Sequence, residues 1–252
     1  MTMSRLVSEW LWEPLLNRLS LMGALTRYRM LKLAFVYTRD EKVDGDYFEF
    51  GTQRGRSLVY AYAHAQALGQ STRFHVFDSF EGFPKPRGAD AIFERFQEGG
   101  AKCSLGEFVG YLRRHKVDES RVSIVQGWYR DTLNDETRSR IDAGTARIVN
   151  IDCDLYESAS QALEFVTPHV TSGTVLLCDD YYCYRANPRR GEQRAVRDWL
   201  GRHREIELIP WNNYETHGKA FIVSMRCPGE DPQDEGSPGA GPVDAGRTKG
   251  RG

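Results

Sequence analysis

Two short apolar runs, Arg147–Ile151 and Thr174–Cys178, end abruptly in acids: Asp152-Cys153-Asp154 after the first and Asp179-Asp180 after the second. β-Branched and aliphatic residues dominate both, which marks them as buried strands of a parallel sheet with one helix-length segment between them. Ligands of open α/β sheets collect outside the carboxyl ends of the strands, so acids at two such ends face one crevice. Four carboxylates gathered there repel one another unless a cation joins them. The pattern therefore predicts a metal site at Asp152, Asp154, Asp179 and Asp180. The competing reading, turn residues and helix caps, explains one cluster better than it explains two. Oxygen-only donors point to a hard cation such as Mg²⁺, because zinc favours His or Cys. Cys153 and Cys178 read as packing residues.

Strand and helix patterns alternate from Gly45 onward, which predicts an α/β fold with a mostly parallel sheet and helices on both faces. Expected strands at Asp46–Phe50, Arg73–Phe77, Val122–Val125, Arg147–Ile151 and Thr174–Cys178 alternate with helices at Ser57–Leu68, Cys103–His115, Asp135–Ala143, Glu157–Val166 and Glu192–His203. Ser158 and Gln161 have capping-box spacing. Ile206–Ile209 and Lys219–Ser224 read as an antiparallel C-terminal hairpin joined through Trp211 to His217. Pro84–Gly100 is polar and Gly-rich, with a helical turn at Ile92–Phe96, and sits where a mobile lid would sit.

Residues 1–38 form an N-terminal helical extension, with two or three helices broken at Pro14 and Gly23. No chemistry is assigned to it; its aromatic face (Trp10, Trp12, Leu15, Leu16) is expected to cap the main domain or to form a homodimer contact. Residues 39–227 make the core domain, and 228–252, dense in Gly, Pro and charge, are expected to be a disordered tail. With 252 residues of which 40% are hydrophobic, the chain suits one sizeable core with additions. Its formal net charge of -1, from 34 basic and 35 acidic side chains, creates no field to attract nucleic acid or an anionic membrane. A small-molecule partner fits better. Five cysteines without a CxxC pair, and no signal-peptide core or membrane span, predict a cytoplasmic protein.

A second set of motifs stands nearer the N-terminus. Phe48 to Ser57 puts a strand, a Gly51-x-x-x-Gly55 turn and a helix start in sequence. The dinucleotide fingerprint GxGxxG is missing, but backbone N–H groups at the helix start suit a smaller anion such as an amino-acid carboxylate. Asp78, ending the next strand, is placed to accept ribose hydroxyls or, equally, to cap the turn Ser79–Gly82. His75 reads as core. No Gly-x-Ser-x-Gly elbow or Walker loop occurs.

Four blocks then resemble a known family, the TylF-type metal-dependent O-methyltransferases of natural-product biosynthesis: Phe48-Glu49-Phe50-Gly51 to Gly55-Arg56-Ser57; Phe77-Asp78-Ser79-Phe80-Glu81-Gly82-Phe83-Pro84; Gln126-Gly127-Trp128-Tyr129 with Asp131-Thr132-Leu133; and Ile151 to Ser158 with Cys178-Asp179-Asp180-Tyr181. The resemblance implies a class I methyltransferase (Rossmann-like) fold that binds S-adenosylmethionine, with the methionine end near Glu49, Gly51, Thr52, Gly55 and Ser57. Asp78 and Ser79 would take the ribose, and Gly127 and Trp128 the adenine. It implies Asp152, Asp179 and Asp180 as Mg²⁺ ligands and Asp154 as general base. The implied acceptor is a sugar or polyol hydroxyl of a natural-product intermediate; an N- or carboxyl-methyltransferase and an inactive cofactor-binding partner protein are the alternatives. Cys153 stands where the family usually has Gly, and Gly173-Thr174 where it has Gly-Gly, so the acceptor's shape is expected to differ.

Overall fold

The computed structural model describes residues 19–92 and 95–226. Trp10, Trp12, Leu15, Leu16, Pro14 and the tail from residue 228 lie outside the described residues.

Seven strands form one sheet in the order β3-β2-β1-β4-β5-β7-β6. The first five, β1 (Asp46–Phe50), β2 (Phe74–Asp78), β3 (Val122–Gln126), β4 (Ala146–Ile151) and β5 (Val175–Cys178), pair in parallel, and β6 (Ile206–Tyr214) with β7 (Gly218–Met225) form the antiparallel end. Helices α1 (Leu19–Asp40), α2 (Arg56–Ala67) and α3 (Leu105–Arg114) cover one face, burying Met30, Phe35, Leu58 and Phe108 against Tyr47, Phe74 and Ile148. On the other face lie α4 (Asp135–Ile141), α5 (Tyr156–Val166) and α6 (Gly191–Arg202), whose Phe165 and Trp199 pack with Phe48, Phe50 and Ile151. Phe50 stacks on Phe77 with ring centroids 4.6 Å apart; full burial of such a side chain contributes about 1.5–3 kcal/mol. His75 is the expected core residue, its Nε2 3.0 Å from Asp46 Oδ2.

Register positions the chemistry. Ile151 is level with Phe50 on one side and with Cys178 on the other, so the chain leaves β1, β4 and β5 at one height. Asp152 N donates to Phe50 O at 2.8 Å and Asp179 N to Ile151 O at 2.9 Å, which extends the ladder one step into the acids.

Three expectations are corrected. Gly23 does not break the first helix: α1 runs through it, since a helical Gly costs only about 1 kcal/mol and the buried face downstream offsets that. Ser158 and Gln161 make no capping box, because α5 starts earlier, at Tyr156, whose N–H donates to Asp90 Oδ2 at 2.6 Å. The expected lid holds a 3₁₀ helix at Gly88–Ile92, while residues 93 and 94 of the turn expected at Ile92–Phe96 lie outside the described residues. Asp90 fixes that helix in place, accepting also from Gly191 N at 3.2 Å, while Phe96 is buried with Leu155, Cys183 and Tyr184. The C-terminal hairpin is longer than the apolar runs indicated, continuing through a bulge at Pro210, which has no N–H to donate. Among the described residues no helix is long and apolar enough to cross a membrane.

Candidate active site

A cavity of about 1000 Å³ opens above the carboxyl ends of β1, β2, β4 and β5. Gly51, Thr52, Ser57, Asp78, Ser79, Gly127 and Trp128 line one part of it, and Asp152, Asp154, Asp179 and Asp180 the other. Gly51 joins the two. Its φ is 84°, and a Cβ there would lie 1.8 Å from Asp152 O, so only glycine lets the β1–α2 turn rest on the acidic strand end. Two residues of the Gly-turn motif do not reach the wall. Gly55 faces Phe108, 2.8 Å from where its Cβ would be, and is a packing position. Glu49 is fully buried: Tyr47 OH donates to its Oε2 at 2.6 Å, and its Oε1 has no partner. Burial pushes the Glu49 carboxyl up to about 8 even against that hydrogen bond.

Asp78 performs the turn-holding role. Its Oδ2 accepts from Thr52 N at 2.8 Å and Gln53 N at 3.2 Å, and its Oδ1 from Phe80 N at 2.7 Å. Ser79 likewise bonds within its own turn, donating to Gly82 O at 3.1 Å and accepting from Glu81 N at 3.1 Å. Both still face the cavity, and Thr52 lines it too, with its hydroxyl buried and without a partner. Cys153 packs in the core as expected, and so does Cys178.

The acids are closer together than strand ends require. Carboxylate oxygens of Asp152, Asp154 and Asp180 lie within 4.8 Å of one another. Asp154 has φ 61°, a left-handed conformation that costs a non-glycine residue about 1–2 kcal/mol and here turns the chain sharply into α5. Burial, followed by repulsion from the adjacent Asp180 and a hydrogen bond to it, holds the Asp154 carboxyl well above the usual range. Asp152 rises to about 6, burial outweighing an adjacent guanidinium.

That guanidinium belongs to Arg27 on α1. Its Nη1 donates to Asp152 Oδ2 at 2.7 Å and Ser57 Oγ at 3.0 Å, its Nε to Glu215 Oε1 at 2.7 Å, and its Nη2 to Asp179 Oδ2. Burial would lower the Arg27 group, but Asp152 and Asp179 more than reverse this and hold it well above its ordinary value. Asp179, expected beside Asp152 and Asp180 as a metal ligand, is therefore turned to an arginine, and Asp154 completes the closest trio. Sequence reading missed Arg27, having assigned no chemistry to this helix; a cation inside an apolar-periodic stretch was the available signal. It also missed Glu215, on the β6–β7 turn, and Glu192, fully buried on α6, whose Oε2 accepts from Asp180 N at 3.0 Å. His217 reaches the cavity because the hairpin folds over it.

Strand order, a glycine turn after β1 and acids after β2, β4 and β5 define a class I methyltransferase. The chain belongs to the macrocin O-methyltransferase (TylF) family, whose pattern it matches over residues 14–207. It is similar to the 8-demethyl-8-(2,3-dimethoxy-alpha-L-rhamnosyl)-tetracenomycin-C 4'-O-methyltransferase of Streptomyces olivaceus, at 31% identity over 189 residues, 72% of this chain and 68% of that one. Demethyldecarbamoylnovobiocin O-methyltransferase of Streptomyces niveus is 28% identical over 55% of this chain and 53% of its own. In three dimensions the fold is shared with the O-methyltransferase NovP, at TM-score 0.66 and 23% identity over 80% of each chain. It is shared also with the calicheamicin methyltransferase CalS11, at 0.65 and 23% over 87% of this chain and 90% of that.

Proposed function

We propose that the protein transfers the methyl group of S-adenosylmethionine to a hydroxyl on a sugar or polyol moiety of a natural-product intermediate, with Mg²⁺ as metal. One observation carries this reading: a single cavity joins the Gly51 turn to the Asp152, Asp154 and Asp180 carboxylates, with Gly51 resting on Asp152. The rhamnosyl group in one relative's name supports the sugar hydroxyl, and the novobiocin intermediate in another's supports a natural-product acceptor.

The residues present fit both groups. The Gly51–Thr52 turn and the first turn of α2 suit the methionyl end of the donor, with Ser57 beside them. Asp78 and Ser79 hold the turn against which a ribose would lie, and Gly127 with Trp128 offers a flat wall for adenine. Glu49 lies behind this wall and does not line it. Asp152 and Asp180 are the nearest metal ligands, and Asp179 joins them once Arg27 releases it. Mg²⁺ held there supplies positive charge that lowers the pKa of an acceptor hydroxyl.

Asp154 takes the hydroxyl proton, burial and the neighbouring Asp180 having raised its proton affinity above that of an ordinary carboxylate. An O–CH₃ bond forms as the S–CH₃ bond breaks, and sulfur keeps the electron pair and becomes a thioether. The walls align oxygen, carbon and sulfur. Purified protein, stripped with EDTA and offered glycosylated acceptors, should release S-adenosylhomocysteine only after Mg²⁺ is restored. Undiminished turnover in chelator rejects the metal, and calorimetry without cofactor binding rejects the whole reading. Mass analysis that puts the methyl on nitrogen or a carboxylate would favour the alternative acceptors.

A further inference from the structure

Next to the acids stands a set of donors of another chemical kind. Asp180, Cys183 and His217 each offer one ligand atom, and the three atoms lie within 4.8 Å of one another. The fold builds this set from two elements. Cys183 N donates to Asp180 O at 2.9 Å, closing a turn that brings Cys183 Sγ to 2.9 Å from Asp180 Oδ1. Tyr182 N donates to His217 O at 2.9 Å and pins the β6–β7 turn to the same loop. Immediately afterwards Tyr184, Arg185 and Ala186 run left-handed, at φ 56°, 58° and 54°, and send the chain back over the site.

Mg²⁺ prefers oxygen, whereas Zn²⁺ binds thiolate at about 2.3 Å and imidazole at about 2.0–2.1 Å in tetrahedral geometry. Those lengths require donors roughly 3.3–3.8 Å apart, within a side-chain adjustment of the present positions. Asp180 and His217 also line the cavity. Of the four described cysteines, Cys183 is the one in this donor set.

We propose that Asp180, Cys183 and His217 form a soft-metal site for Zn²⁺, separate from the hard-cation site but sharing Asp180 with it. The ion replaces the proton between Cys183 and Asp180. The inhibitory half of this proposal rests on the Mg²⁺ reading: Zn²⁺ that claims Asp180 removes a ligand from Mg²⁺ and stops turnover.

Co²⁺ is the probe. Added to the metal-stripped full chain, without cofactor or acceptor, it should give a near-ultraviolet thiolate-to-cobalt band that saturates and is bleached by Zn²⁺. The band should vanish in Cys183→Ser and weaken in His217→Gln, with melting curves confirming that both variants fold. No band in the wild type, or a band that survives Cys183→Ser, rejects the site. In turnover assays the Zn²⁺ concentration for half-inhibition should rise at least about tenfold in Cys183→Ser. Equal inhibition of both proteins rejects the shared carboxylate. The cobalt band is independent of catalysis, so a band without zinc inhibition, in an enzyme that also works in EDTA, would locate the failure in the Mg²⁺ reading.

Discussion

Arg27 Nη1 stands 2.7 Å from Asp152 Oδ2, joining a helix near the N-terminus to the acid that follows β4, 125 residues away in sequence. The same guanidinium holds Asp179 and Glu215, so one cation is shared by three carboxylates of a site read as a metal centre. A metal bound there would draw on the same oxygens as Arg27.

Arg27→Ala should therefore separate two effects. The metal-free protein loses the partner of a partly buried ion-pair network and should be destabilised by about 3 kcal/mol, near the lower end for breaking such pairs. Mg²⁺ should then bind more tightly than to the wild type, with no guanidinium competing, and raise the melting temperature by more. Calorimetry and paired melting curves with and without Mg²⁺ check both; weaker Mg²⁺ binding in the variant would show that Arg27 positions the acids and does not compete for them.

Asp154→Asn tests the base. The amide keeps the shape of the side chain and removes its charge from a cluster of acids, so the fold should be unharmed. Turnover should fall about 10²- to 10⁴-fold, the usual worth of a positioned base, while cofactor affinity is unchanged. Asp152→Asn should instead lose metal binding. If Asp154→Asn also loses metal binding, Asp154 belongs to the ligand set.

Stability in EDTA should fall as pH rises. Glu49 moves from 4.5 to about 8 on folding and Asp152 from 3.8 to about 6. In each case the folded state holds its proton more firmly than the unfolded chain. Their contribution is full below the unfolded values, is lost as the unfolded chain ionises first, and levels off above about 6 for Asp152 and about 8 for Glu49. Mg²⁺ needs ionised ligands, so its melting-temperature increment should be larger at pH 8 than at pH 5. Scanning fluorimetry across that range, with EDTA or Mg²⁺, measures both slopes; a metal-free protein that gains stability from pH 5 to pH 8 contradicts the assignment.

The sheet and its acids were legible because apolar runs and their ends are local properties: Arg147–Ile151 and Thr174–Cys178 differ from the observed strands by one residue at the start. What stayed hidden depends on partners far along the chain. Arg27 is defined by Asp152, Asp179 and Glu215, and Asp90, 66 residues from Tyr156, caps α5 where a local Ser–Gln pair had been expected. Glu49 shows the limit of motif transfer: its position in the strand was readable, but Tyr47 takes its carboxyl away from the cavity wall.

Gly51 is where both halves of the site depend on one missing side chain. Adding a Cβ at φ 84°, 1.8 Å from Asp152 O, forces the turn and the β4 end apart. Gly51→Ala should cost about 2–4 kcal/mol, combining left-handed strain with a clash against backbone. Gly69 provides the control, with φ 65° and nothing within 4 Å of its Cβ position, so Gly69→Ala should carry only the strain, about 1 kcal/mol. Because the displaced atoms belong to Asp152 as well as to the turn, Gly51→Ala should weaken binding of S-adenosylmethionine and of Mg²⁺ together, while Gly69→Ala leaves both unchanged. Calorimetric titrations of each ligand alone read this directly; a Gly51→Ala protein that loses one affinity and keeps the other would mean that the turn and the acids are built independently.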